Sequence, residues 1–252
     1  MLYNERVEEI LRLLQRQNAV KVNELSDILK VSVDTVRRDL RQMEQNGQIK
    51  CVRGGACLPD SLASLSRFKG REVINIELKQ QAARKAMKYI HPGMAIALNS
   101  GTTNTILAQE IALRGDAVTV ITNNLAAQQI IMQNPNIQLI AIGGLVDSLE
   151  QSTYGDTCER EFETYLPDIA FLSINAVNLE MGFTDFRYNE FGILHALARN
   201  ASKVIAVMDS TKLEHVSRKK VLELTEIDLL VMDENVPEKL RRQYEKKGLR
   251  IE

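Results

Sequence analysis

Apolar residues recur along the first sixty positions with a helical period. Val7, Ile10, Leu11 and Leu14 predict a helix over residues 4–16. A second, shorter helix is predicted in VNELSDILK, with Asn23 as its N-cap and Leu25, Ile28 and Leu29 facing inward. Only KVS separates it from a third helix, capped by Ser32, whose buried stripe is Val33, Val36, Leu40 and Met43. Gly47 in QNG can take the left-handed conformation that stops this helix. In the following QIKCVRGGACL, Ile49, Cys51 and Arg53 alternate with Lys50 and Val52 before a Gly54-Gly55 turn, the pattern of a small β-wing. Three helices and a wing within residues 1–57 describe a winged helix-turn-helix domain.

The stretch 58–72, LPDSLASLSRFKGRE, combines Pro59, Gly70 and three serines with little periodicity, and is expected to be a linker. From residue 73 to 252 short continuous apolar runs alternate with amphipathic ones. MAIALNS, AVTVITN, IQLIAIGG, DIAFLSI, KVIAVMDS and IDLLVMDE are predicted strands. TTNTILAQEIAL, NLAAQQIIMQN, NEFGILHALARNA and VPEKLRRQYEKKG are predicted helices. This alternation predicts an α/β domain with a largely parallel sheet covered on both faces. No stretch approaches the roughly 20 apolar residues of a membrane span, and MLYNERVEEI has acids where a secretory leader needs a basic then apolar run. A soluble, cytoplasmic protein without membrane contact is the expectation.

Charge sharpens this picture. The 252 residues carry a formal net charge of −1, which gives no global sign of nucleic-acid binding. The distribution is uneven: residues 1–58 hold ten Lys/Arg and eight Asp/Glu, net +2, leaving net −3 for the rest. Within 37–53 five basic residues, Arg37, Arg38, Arg41, Lys50 and Arg53, face two acidic ones, Asp39 and Glu44. Cys51, Cys57 and Cys158 form no CxxC pair and no metal-ligand spacing, so packing roles are expected, in a reducing compartment and with no metal or cofactor.

On a helical wheel Arg38 lies almost opposite the apolar stripe of the third helix, surrounded by Asp34, Thr35, Gln42 and Gln45, with Arg37 and Arg41 on one flank. A bidentate donor, amides and a hydroxyl can address base edges in a major groove, while flanking arginines hold phosphates. Ser32, Asp34, Thr35, Arg37, Arg38, Arg41, Gln42, Lys50 and Arg53 are therefore the candidate contacts to double-stranded operator DNA. One winged module offers too few contacts for the affinities typical of specific DNA binding, about 10⁻⁸ to 10⁻¹¹ M, so a homo-oligomer, dimer or tetramer, is expected.

In the larger domain several loops fall where strands end. NSGTT (Asn99 to Thr103) combines a glycine turn with the hydroxyls of Ser100, Thr102 and Thr103 at a helix N-terminus, an arrangement suited to a phosphate or carboxylate. TNN (Thr122 to Asn124), Gly143-Gly144 and DSTK (Asp209 to Lys212) end further strands, and in a parallel sheet such ends gather along one edge where ligands bind.

The segment VNELSDILKVSVDTVRRDLRQMEQNGQIKCVRGGACL resembles the DeoR family of bacterial transcription regulators, with its V-S-x-x-T-[VI]-R-R-D-L recognition helix and R-x-x-G-G-A wing. Here Arg53 stands directly before Gly54-Gly55. The resemblance runs over nearly the whole chain. It implies repression relieved by an effector, and a second domain similar to sugar-phosphate isomerases and CoA-transferases that binds a phosphorylated sugar or related metabolite. It maps the phosphate loop onto Ser100, Gly101, Thr102 and Thr103, and further pocket positions onto Asn123, Gly143, Asp209 and Lys212, with Glu190 in DFRYNE as the pocket acid. The chain departs from the family pattern at Asn99 (Asp in the family), Leu194 (Lys) and Asn175-Ala176-Val177 (D-G-[IV]). Sugar isomerisation needs a positioned acid and base, and neither Asn99 nor Leu194 supplies a proton. An isomerase-like enzyme and a scaffold that senses no metabolite stay as alternatives; sugar-phosphate turnover would single out the first, and effector-insensitive operator binding the second.

Overall fold

The computed structural model describes residues 2–17, 19–45, 48–57 and 68–252. The chain divides into two compact units, Met1–Glu77 and Leu78–Glu252.

In the first unit α1 (Tyr3–Gln17), α2 (Val22–Leu29) and α3 (Val33–Gln45) enclose a core of Ile10, Leu14, Leu25, Leu29, Val36, Leu40 and Met43. The wing is β2 (Lys50–Val52) and β3 (Gly55–Cys57), and β1 (Ala19–Lys21) adds a third strand in the antiparallel order β1-β3-β2. Glycine is required at the wing turn. Gly54 has φ +95°, and a Cβ on Gly55 would lie 2.1 Å from the Val20 carbonyl oxygen.

Three local expectations are corrected. Asn23 lies inside α2; its N-cap is Lys21, with no side-chain cap, because the chain enters the helix directly from β1. Ile28 is 43% exposed, since Leu25 and Leu29 already fill the inward face. The end of the expected linker is helical: α4 (Phe68–Val73) buries Phe68 and Val73, and Val73 packs with Ala19 of β1 and Cys57 of β3. Gly47 and residues 58–67 lie outside the described residues.

Ser32 caps α3 as expected, its Oγ accepting from Thr35 N at 3.2 Å. The tie between α1 and α3 has no counterpart in the hydrophobic pattern. Arg6 donates from Nε to Asp39 Oδ2 (2.6 Å) and from Nη2 to Asp39 Oδ1 (3.1 Å), with both residues buried. A bidentate guanidinium–carboxylate pair fixes distance and orientation together, so it sets the rotation of α3 about its own axis.

The second unit is built on six parallel strands: β4 (Ala95–Leu98), β5 (Thr119–Thr122), β6 (Gln138–Ala141), β9 (Ile169–Leu172), β12 (Lys203–Val207) and β14 (Leu229–Val231), in the order β14-β12-β9-β4-β5-β6. The predicted helices appear as α6 (Thr102–Arg114), α7 (Leu125–Ile131), α9 (Phe191–Asn200) and α10 (Glu238–Lys246), and α5 (Ile76–Ala86) leads into the sheet. Unpredicted are the hairpin of β7 (Leu145–Asp147) and β8 (Ser152–Tyr154), the helix α8 (Asp156–Glu163), and a small antiparallel sheet of β10 (Ala176–Asn178), β11 (Gly182–Asp185) and β13 (Lys219–Leu222). The chain winds from β4 outward through β5 and β6, then returns to the other side of β4 to lay down β9, β12 and β14. Winding therefore reverses between β4 and β9, and in an open parallel sheet such a reversal is the place where ligands bind, in the crevice beyond the strand ends.

Removing one partner of a buried ion pair strands the other charge, which costs about 3–5 kcal/mol. Asp39→Ala should therefore lower the urea midpoint of the transition that reports the first unit by the equivalent of about 3 kcal/mol or more, measured on the full chain. A shift of under about 1 kcal/mol would show that Arg6 and Asp39 are not coupled.

Candidate functional site

On α3 the apolar stripe and the Arg6–Asp39 pair turn one face inward and leave Arg37, Arg38, Arg41 and Gln42 exposed. The R-R-D-L sequence thus splits by direction: Arg37 and Arg38 face solvent, while Asp39 and Leu40 are buried. Among the described residues Arg38 and Arg41 form no ion pair. Arg37 lies 3.6 Å from Asp34 and 3.8 Å from Glu77, loose contacts on an exposed surface. Ser32 and Thr35 are partly committed, since their hydroxyls are hydrogen-bonded to each other at 2.9 Å and hold the start of the helix. On the wing, Lys50 and Arg53 are both exposed, with Lys50 3.4 Å from Glu44. The Glu44 carboxyl is held below its ordinary range chiefly by the hydrogen bond from the Cys51 backbone N–H (2.9 Å).

The second cluster occupies the crevice between β4 and β9. Asn99 closes it: its Nδ2 donates to Ser173 O (3.1 Å) and its Oδ1 accepts from Ser173 N (2.8 Å). The same Nδ2 donates to Glu190 Oε2 (3.0 Å), and Asn123 Nδ2 donates to Glu190 Oε1 (3.4 Å). The Glu190 carboxylate thus faces two amide donors. An Asp at position 99 could donate to neither Ser173 O nor Glu190, which accounts physically for Asn99. Gly101 has φ +126°, and a Cβ there would meet Ser173 Oγ at 2.6 Å, so the turn into α6 requires glycine. Ser100, Thr102 and Thr103 follow that turn and are all less than 7% exposed. Asn124 supports it from the next loop, its Nδ2 donating to Gly101 O (3.2 Å) while its Oδ1 caps α7 at Ala127 N (3.1 Å). Asn123 Oδ1 is buried with no hydrogen-bond partner among the described residues, an acceptor that a ligand hydroxyl could satisfy.

Two cations in this cluster carry no signal in the local sequence pattern. Arg187 leaves β11 and is buried in the crevice. Its Nε and Nη2 donate to Asp185 (3.0 and 2.7 Å), Nη2 also to Ser173 O (2.8 Å), and Nη1 to Ser100 O and Ser100 Oγ (both 3.0 Å). Burial works against this charge, but Asp185 outweighs it and raises the guanidinium pKa. Lys79, buried on α5, donates from Nζ to Thr102 Oγ1 (3.0 Å). The remaining expected positions lie further out. Gly143 is exposed after β6, and its N–H donates to Glu161 (3.0 Å). Asp209 and Lys212 follow β12, and β9 separates that strand from β4. Asp209 folds its own loop by accepting from Thr211 N at 3.2 Å.

Two protein families match separate parts of the chain. The DeoR-like helix-turn-helix domain family matches residues 6–62, and the DeoR C-terminal sensor domain family matches residues 74–234. The chain belongs to the DeoR family of transcriptional regulators. It is 34% identical over 248 residues to the HTH-type transcriptional regulator GolR of Listeria innocua, covering 98% of this chain and 97% of that protein. The HTH-type transcriptional repressor GlcR of Bacillus subtilis is 30% identical over 92% of this chain and 89% of its own. The HTH-type transcriptional repressor CsqR of Escherichia coli is 26% identical over 98% and 94%. Ribose 5-phosphate isomerase A from Methanocaldococcus jannaschii aligns over 55% of each chain at 22% identity, with a TM-score of 0.41, too loose a likeness to argue from.

For a DeoR-family chain the two sites fall in the two matched regions: the α3 face in the first, the crevice in the second. Among the described residues no helix is long and apolar enough to cross a membrane, and no group of three or more His, Cys, Asp or Glu is placed to hold a metal ion. Cys51 and Cys158 are held protonated at neutral pH. Burial above all pushes Cys51 up to about 11 and Cys158 up to about 12, and a protonated thiol is a poor nucleophile. At pH 8 the native chain should therefore react slowly with Ellman's reagent at Cys51 and Cys158, and faster as pH rises toward those values. All three thiols should react promptly in denaturant. A fast native reaction at Cys158 at pH 8 would refute its burial.

Proposed function

We propose that this chain is a cytoplasmic repressor of a carbohydrate-utilisation operon. In this reading α3 and the wing hold operator DNA, and a phosphorylated sugar or related anionic metabolite, seated on Ser100 to Thr103, releases it. The DNA-binding domain is 1–57, and the sensing and assembly domain is 73–252, acting as a homo-oligomer. The observation that carries the effector reading is the cradle itself. A glycine turn, hydroxyls and two buried cations meet at the positive end of a 13-residue helix, in the crevice where the sheet reverses its winding.

The enzyme alternative loses ground at Asn99 and Glu190. The Glu190 carboxylate is engaged by two amide donors, and Asn99 in the place of an acid cannot serve as a general acid or base. The DNA reading rests on the exposed Arg38 opposite the stripe, which forms no ion pair among the described residues, with Arg41, Gln42, Lys50 and Arg53 around it.

Two measurements test this. Arg38→Ala should weaken operator binding by about 1–3 kcal/mol and relax base preference, whereas Arg37→Ala should weaken specific and random DNA alike and reduce the salt slope. Identical specificity profiles for the two variants would overturn that division. For the effector, a thermal-shift screen of sugar phosphates identifies a binder, and operator release is then titrated with it. Thr102→Asp places a like charge in the cradle and should raise the effector concentration needed by at least about tenfold, roughly 1.4 kcal/mol, with operator binding intact. Release at an unchanged concentration would move the phosphate elsewhere.

A further inference from the structure

The cradle hydroxyls are arranged in a way that goes beyond the presence of a phosphate loop. A serine or threonine hydroxyl can both donate and accept, and its partners decide which. Ser100 Oγ accepts from Arg187 Nη1 at 3.0 Å, and Thr102 Oγ1 accepts from Lys79 Nζ at 3.0 Å. Neither cation can accept in return. Among the described residues no acceptor takes the proton of either hydroxyl, so each has its own O–H left to donate. Arg187 has no donor left for a ligand. A guanidinium carries five N–H groups, and all five are engaged by Asp185, Ser100 and Ser173.

We propose that Lys79 and Arg187 are positioning residues that make Thr102 and Ser100 one-way donors, so that the cradle selects an effector by an acceptor-only, dianionic end and discriminates against the corresponding unphosphorylated sugar. The inference rests on the cradle reading above and adds its means of selection. Each buried cation acts through a hydroxyl. The ligand meets a short, polarised O–H in place of a long flexible side chain. Because the cations already have protein partners, the cradle keeps its donor orientation before the ligand arrives, and little ordering is left to oppose binding.

The test is a double-mutant cycle on the full chain, with inorganic phosphate as probe, titrated calorimetrically at constant ionic strength. Thr102→Val keeps the shape and removes the hydroxyl, and should weaken phosphate about tenfold, the scale of one hydrogen bond to a charged group. Lys79→Met should weaken it about as much. The double variant should be no weaker than about the worse single one, because Lys79 has nothing to act through once the hydroxyl is gone. Thr102→Ser should restore wild-type affinity. Losses that multiply to about a hundredfold would mean that Lys79 meets the phosphate directly, and would overturn the proposal. So would a Lys79→Met chain that melts earlier yet binds phosphate like wild type. Unchanged affinity in Thr102→Val, or no phosphate binding by the wild type, would overturn the cradle reading itself, a separate result. Should Lys79→Met fail to fold, Lys79→Gln carries the same comparison. The Arg187 arm uses Ser100→Ala against Arg187→Lys, which keeps a charge beside Asp185 but cannot span Ser100 O and Oγ. Multiplied losses in that pair would overturn it in the same way.

Discussion

A guanidinium in a protein keeps its charge, and a buried one must therefore be met by acceptors on every side. Arg187 is met by Asp185, by the backbone and hydroxyl of Ser100, and by the backbone of Ser173. These residues leave three different strands, β11, β4 and β9. Asp185 reaches further, accepting from Asn175 N at 3.0 Å and from Arg187 N at 2.8 Å. The positions of three loops are thus solved together. Moving any one of them leaves a buried charge without a partner, at a penalty of several kcal/mol. The Asn99–Ser173 pair and the Asn99 and Asn123 bonds to Glu190 fit inside this frame.

The first unit uses the same device at smaller scale. Its apolar core specifies that three helices and a wing pack together, but an aliphatic stripe tolerates some rotation about the helix axis. The bidentate Arg6–Asp39 pair does not. The direction in which Arg38 points is then a consequence of a carboxylate next to it in sequence, about 100° further round the helix and turned inward.

What could be read from the chain follows from the range of the interactions involved. The α3 stripe of Val36, Leu40 and Met43, the Ser32 cap and the alternation of β4, α6, β5 and α7 are local patterns found where expected, with Val33 only half-buried at the start of the helix. The turn at Gly101 was legible because glycine before two threonines at a strand end has a short-range conformational reason. Arg187 and Lys79 were not, because the cradle residues they meet, Ser100 and Thr102, lie 87 and 23 residues away and nothing in FRYNE or ELKQQ distinguishes a buried cation from a solvated one. Asp39 enters the sequence reading only as one of two acids among basic residues, although Val36 and Met43, three positions before it and four after, mark the side of α3 it faces. Helix α4 was missed because Phe68 and Val73 bury against β1 and β3, a tertiary reason that a short serine-flanked segment does not display.

The strand order also sets a timetable for synthesis. Domains fold as units, N-terminal first, as the chain emerges. The α3 face is complete once the first unit has been made. The crevice needs Glu190, which bonds to Asn99 across 91 residues of chain. A polypeptide stopped between the two would carry the complete α3 face and lack the Glu190 side of the crevice. In such a fold, truncation from the C-terminal side reaches the crevice before it reaches the α3 face.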